Sequence, residues 1–168
     1  LLETYNIYIP LNNQYGCLFI TVRVCMDRCD FGKGGGFVFQ KGDIFMKVVS
    51  TDKAPAAIGP YSQAMILNGV VFTSGQIPID PATGEITAVT IEEQAEQVMK
   101  NLGEVLKEAG SSYEKTVKTT CFLSDMGNFA AFNEVYGKYF TGKPARSCVA
   151  VKTLPKNVLC EVEAIAEI

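Results

Sequence analysis

A chain of 168 residues, 48% apolar and 20% charged, has the make-up of one folded domain burying about two-thirds of its unfolded surface, not of a disordered segment. Its net charge of −3 and pI of about 5.0 supply no basic field for nucleic acid or an anionic membrane, so neither is an expected partner. It holds no histidine, which removes the Ser-His and Cys-His nucleophile pairs and every His-containing metal site.

The chain changes character near residue 45. Residues 1–45 carry Cys17, Cys25 and Cys29 and the run "FGKGGGF" at 31–37, and show no sustained hydrophobic period. The three cysteines lack zinc spacing. The glycine run has no Lys-Ser/Thr after it and no strand-glycine-helix spacing around it, so it reads as a linker. The apolar run "GCLFITVRVCM" is broken by Arg23 and is too short to span a bilayer. The chain starts with Leu, and "MKVVS" at Met46 would make a natural beginning. A targeting segment, a lineage-specific extension and an artefact all remain open for 1–45. The expected compartment is the cytoplasm, with an organelle as the alternative if 1–45 is a targeting segment.

From 46 onward the signals are regular. "KVVS" and "QAMIL" have strand composition, and Asn68-Gly69 is a two-residue hairpin signal leading into "VVFTSG". The Pro-, Asp- and Gly-rich "PIDPATG" is a loop. Thr90 and Glu93 form a capping box, after which Ile91, Ala95, Val98, Leu102, Val105 and Ala109 recur at helical spacing until Gly110. "VKTTCFL" at 117–123 alternates as a strand does. A second helix over 127–140 places Phe129, Phe132, Tyr136 and Phe140 on one stripe and ends at Gly142. Strands over 145–152 and 158–166 follow, joined by "TLPKN". The order β-β-β-α-β-α-β-β predicts an α+β domain over 46–168: one mixed sheet with both helices on one face. Val70, Phe72 and Cys121, or their neighbours, are expected on the other face. Being apolar, that face is expected to be covered by further copies of the chain.

Cys121, Cys148 and Cys160 sit inside strand-like runs, where a thiol usually serves as a small buried hydrophobe. Residues 46–168 contain ten lysines and a single arginine, Arg146. On strand alternation Arg146 and Cys148 share a face. If 145–152 and 158–166 form an antiparallel hairpin turning near 154–155, Cys148 comes to lie by Glu161 and Arg146 by Glu163. Two readings are open on this spacing. One is a cross-strand Arg–Glu surface pair, contributing about 0.2–1 kcal/mol. The other is an anion site, since a guanidinium grips a planar carboxylate through two parallel hydrogen bonds as lysine cannot.

Five blocks in order, "APAAIGPYSQA" (54–64), "TSGQIPIDPATGE" (73–85), "NFAAFNEVYGKYF" (128–140), "PARSCV" (144–149) and "LPKNVLCEVEAIA" (154–166), resemble the RidA, or YjgF-like, family of reactive-intermediate deaminases. The resemblance covers 46–168. It implies a chorismate-mutase-like fold, a homotrimer with sites in the clefts between subunits, and hydrolysis of 2-imino acids, arising from 2-aminoacrylate or 2-aminocrotonate, to 2-keto acids and ammonia. Carried onto this chain, it implies that Arg146 holds the substrate carboxylate, Glu161 positions or activates water, and Tyr61 lines the cleft. Ser74 and Gly75 would add hydroxyl and backbone contacts, and Asn133 and Cys148 would complete the pocket, with Cys148 as wall rather than reactant. Lys143 departs from the pattern, standing where many relatives carry an aromatic residue.

A protonated imine is already electrophilic, so this chemistry needs a fixed carboxylate and an oriented water, with no metal or organic cofactor. A carboxylate near Arg146 is expected to stay ionised at neutral pH. Two alternatives stand beside the deaminase. An endoribonuclease or translation inhibitor fits poorly with the acidic charge and missing histidine. A non-catalytic trimer binding a small carboxylate would need Arg146 but not Glu161.

Overall fold

The computed structural model describes residues 2–10, 17–25 and 46–168. The chain divides into two compact units, Leu1–Gly42 and Asp43–Ile168. In the first, β1 (Leu2–Pro10) and β2 (Cys17–Cys25) pair antiparallel, Leu2 opposite Cys25 and Pro10 opposite Cys17. These strands were not expected from periodicity. What selects them is their supply of β-branched and aromatic residues, such as Ile7, Tyr8 and Ile9 in β1 and Phe19, Ile20 and Val22 in β2. The glycine run at 31–37 and Cys29 lie outside the described residues. Among the described residues no helix is long and apolar enough to cross a membrane.

The second unit follows the expected order: β3 (Met46–Val49), β4 (Ala64–Leu67), β5 (Val70–Thr73), α1 (Ile91–Glu108), β6 (Thr116–Leu123), α2 (Phe129–Tyr139), β7 (Ala145–Ala150) and β8 (Cys160–Glu167). The six strands form one mixed sheet in the order β3-β4-β5-β8-β6-β7, in which only β6 and β7 run parallel. Asn68 and Gly69, with φ of 49° and 81°, make the β4–β5 turn in the left-handed conformation that a tight hairpin requires. The Thr90 side chain accepts from Glu93 N–H at 3.3 Å while Glu93 Oε2 accepts from Thr90 N–H at 3.1 Å, completing the capping box. Gly110, at φ 83°, closes α1, and Ser111 N–H donates back to the Leu106 carbonyl at 2.9 Å.

Both helices lie on one face. Val98, Met99, Leu102, Val105 and Leu106 of α1 and Phe132 of α2 are fully buried against Ala64, Val71, Cys121, Val162 and Ala164 of the sheet. On the other face, Val48, Met65, Phe72 and Ile165 form a continuous cross-strand row, and Val48 and Phe72 stay 57% and 42% exposed in the single chain.

One alternative is decided and one expectation is corrected. Cys121 does not join the helix-free face. It shares parity with Thr119, whose hydroxyl bonds to Tyr136 of α2, and it is fully buried, so its neighbour Phe122 takes the outer side. Nor do β7 and β8 form a hairpin. They flank β6 on opposite sides: Cys121 is in register with Cys148 on one side and Val162 on the other. The reason is the β6–α2–β7 crossover, which lays β7 parallel beside β6 and fills that edge. The chain then passes over the end of β6, where Val151 N–H donates to the Leu123 carbonyl and Ser124 N–H to the Leu159 carbonyl. It turns through Lys156 and Asn157, both left-handed at φ 54° and 57°.

Candidate functional site

The placement of β7 decides what Arg146 meets. In register with Thr119, it lies on the helix side of the sheet, beneath α2, while Glu163 pairs with Thr120 and takes the other face. Its Nη1 donates to Asn133 Oδ1 at 2.7 Å, and its Cζ sits 4.6 Å from the centroid of the Tyr136 ring and 5.6 Å from that of Phe129. The cross-strand Arg–Glu pair is absent: among the described residues the ion pair is Lys100 with Glu96. A half-buried guanidinium thus rests on two aromatic faces and one amide, and four of its five N–H donors make no hydrogen bond to the described residues.

Cys148, two residues on and on the same face, is half-buried. Burial pushes its thiol above the ordinary value and the Arg146 charge only partly offsets this, which favours the thiol over the thiolate.

Glu161 stands elsewhere. Its register partners are Phe122 in β6 and, through it, Val149 in β7, all on the helix-free face. A bridge between Gln76 and Val162, with N–H···O distances of 2.8 and 3.1 Å, brings Gly75 against it. A Cβ at Gly75 would lie 2.7 Å from Glu161 Cδ and closer still to its Oε1, so any side chain there would have to displace the Glu161 carboxyl from this position. Within one chain Arg146 is not among the charges that act on this carboxylate. Burial, with the neighbouring Glu163 charge second, raises the Glu161 carboxyl above its usual range.

Tyr61 is exposed and shares a small recess of about 30 Å³ with Ile58, Gln63, Gly75, Gln76 and Ile77. Ser74 donates its hydroxyl proton to the Ser62 carbonyl at 2.7 Å and its N–H to the Gln63 carbonyl at 2.9 Å, so only its oxygen lone pairs are available to a ligand.

The site residues named from sequence therefore fall into two groups on opposite sides of one sheet. Arg146, Asn133 and Cys148 gather under α2; Gly75 and Glu161 gather on the helix-free side, with Ser74 and Tyr61 adjoining Gly75. Sequence reading missed Tyr136 and Gln63. Tyr136 was assigned to the buried stripe, but it is the one tyrosine among the phenylalanines of that stripe, and its hydroxyl signals a polar partner. Gln63, 4% exposed, bonds through its side chain to Thr51, Ala54 and Pro55, tying the arm before Tyr61 to β4. Nothing in its sequence context marks it. Among the described residues no group of three or more His, Cys, Asp and Glu side chains could hold a metal ion.

Known proteins share both sequence and fold. A 2-iminobutanoate/2-iminopropanoate deaminase of Mus musculus is 48% identical over 124 residues, spanning 73% of this chain and 92% of its own. The crystal structure of E. coli TdcF with bound serine superposes with a TM-score of 0.70 at 44% identity, over 73% of this chain and 98% of that one. RidA from the Antarctic bacterium Psychrobacter sp. gives 0.70 at 41%, over 73% and 99%. The Endoribonuclease L-PSP family model matches residues 51–168. With the five sequence blocks and the six-stranded, two-helix sheet in agreement, the chain belongs to the Endoribonuclease L-PSP family, the group of RidA and YjgF.

Proposed function

We propose that the protein hydrolyses 2-imino acids to 2-keto acids and ammonia. The observation that carries this is Arg146: a half-buried cation with no carboxylate partner among the described residues, lying over the Tyr136 and Phe129 rings with Asn133 at one nitrogen. Such a group is short of an anion, and its free donors match a planar carboxylate. The substrate carboxylate binds there with the imine carbon beyond it. Glu161, as carboxylate, accepts a proton from a water that adds to that carbon. Glu161 returns that proton to the nitrogen of the resulting carbinolamine, then takes the hydroxyl proton as the C–N bond breaks, the carbonyl of the keto acid forms and ammonia leaves. Since Arg146 and Glu161 face opposite sides of one sheet, a working site needs Arg146 from one copy and Glu161 from another. The apolar Val48–Met65–Phe72–Ile165 row gives the copies a surface to share, and a homotrimer is the assembly proposed.

A coupled assay tests the reading. A lyase generates 2-aminoacrylate, and keto-acid release is followed with and without the protein. Accelerated release is expected; an unchanged rate across a wide range of protein concentration overturns the proposal.

A further inference from the structure

We infer that Tyr136 is a positioning residue for Arg146: its ring, fixed by the Thr119 hydroxyl, sets the plane in which the guanidinium meets a carboxylate. This rests on the reading of Arg146 as the carboxylate site. Arg146 Cζ lies nearer the Tyr136 ring than the Phe129 ring, at 4.6 against 5.6 Å, within the range where a cation is drawn to an aromatic face. The Tyr136 oxygen is 2.8 Å from Thr119 Oγ1. Thr119 is fully buried and is the register partner of Arg146 on β6. The strand beside the arginine therefore holds the ring beneath it, and the ring of Phe140, stacked at 4.4 Å between centroids, limits tilting from the far side. Burial keeps the phenol protonated, so the face it presents stays neutral and electron-rich.

A purely structural tyrosine would make a different prediction from a positioning one. Loss of the hydroxyl alone would cost stability in either case. Loss of the ring would loosen the guanidinium only if the ring positions it. In the full-length protein, Tyr136→Leu should raise KM in the coupled assay and weaken calorimetric binding of 2-oxobutanoate, each by about tenfold, with kcat changed by about twofold at most. Tyr136→Phe keeps the ring and should recover most of the affinity while melting lower. Phe129→Leu, at a half-buried position that tolerates truncation, should raise KM by about threefold, and it keeps the test open if Tyr136→Leu does not fold. Arg146→Lys serves as the reference. If it leaves binding and turnover intact, the carboxylate-site reading fails. If it impairs them while Tyr136→Leu and Phe129→Leu leave KM unchanged, or if the Phe and Leu variants at 136 shift KM equally, the positioning role alone is overturned.

Discussion

Lysine can repeat the charge of Arg146 but not its shape. Arg146→Lys replaces a planar two-pronged donor with one ammonium of different reach. Turnover of an imino acid should fall by at least about tenfold in kcat/KM, roughly 1.4 kcal/mol. The melting temperature should move little, because no ion pair is lost and the ammonium can still lie over the Tyr136 ring. Unchanged kcat/KM with a lower melting temperature would make the residue structural. Glu161 predicts a different profile. Its folded carboxyl sits above the ordinary 4.5, burial being the main cause, so the stability of the neutral form is present in acid and is lost as pH rises through the raised value. Glu161→Gln should therefore match the parent protein's melting temperature in acid and exceed it at neutral pH, while kcat drops more than substrate affinity. The parent's kcat should fall on acidification as the Glu161 carboxylate takes up a proton. Thermal melts and pH–rate profiles of the two proteins check both points.

Local chemistry made most elements readable. The Thr90–Glu93 capping box, the Asn68-Gly69 turn and the stop at Gly110 each act within a few residues, and each appears where its residues predict. What the sequence concealed was lateral order. Alternation says which residues of β7 share a face, but not which strand lies beside them. That is settled by the α2 crossover and by a nine-residue connection that passes over β6 rather than folding into a hairpin. Arg146 and Glu161 were legible as candidates through the resemblance, yet their separation was not, because it depends on β8 lying on the far side of β6. Gln63 belongs to this scale, since one amide ties the 51–55 arm to β4. Gln63→Leu leaves buried backbone groups without partners and should lower stability by about 1–3 kcal/mol in urea unfolding. A variant as stable as the parent would show that the arm holds itself.

For the whole molecule, the six-stranded sheet has one face sealed by helices and one that leaves Met46, Val48 and Phe72 substantially exposed in a single chain. Sedimentation at micromolar concentration should find a trimer of the full-length protein, and a stable monomer would remove the shared site together with the proposed assembly. The opposed placement of Arg146 and Glu161 also has a consequence for inheritance. In the proposed assembly each copy lends its arginine to one pocket and its glutamate to another, so a chain lacking the arginine and a chain lacking the glutamate should complement each other where neither can complement itself. Co-expressed Arg146→Lys and Glu161→Gln chains, each strongly impaired alone, should assemble at random into particles in which about one pocket in four is wholly wild-type. Measured deaminase activity near a quarter of the parent's would be interallelic complementation. Activity no higher than that of either variant alone would place both residues in the same copy's pocket.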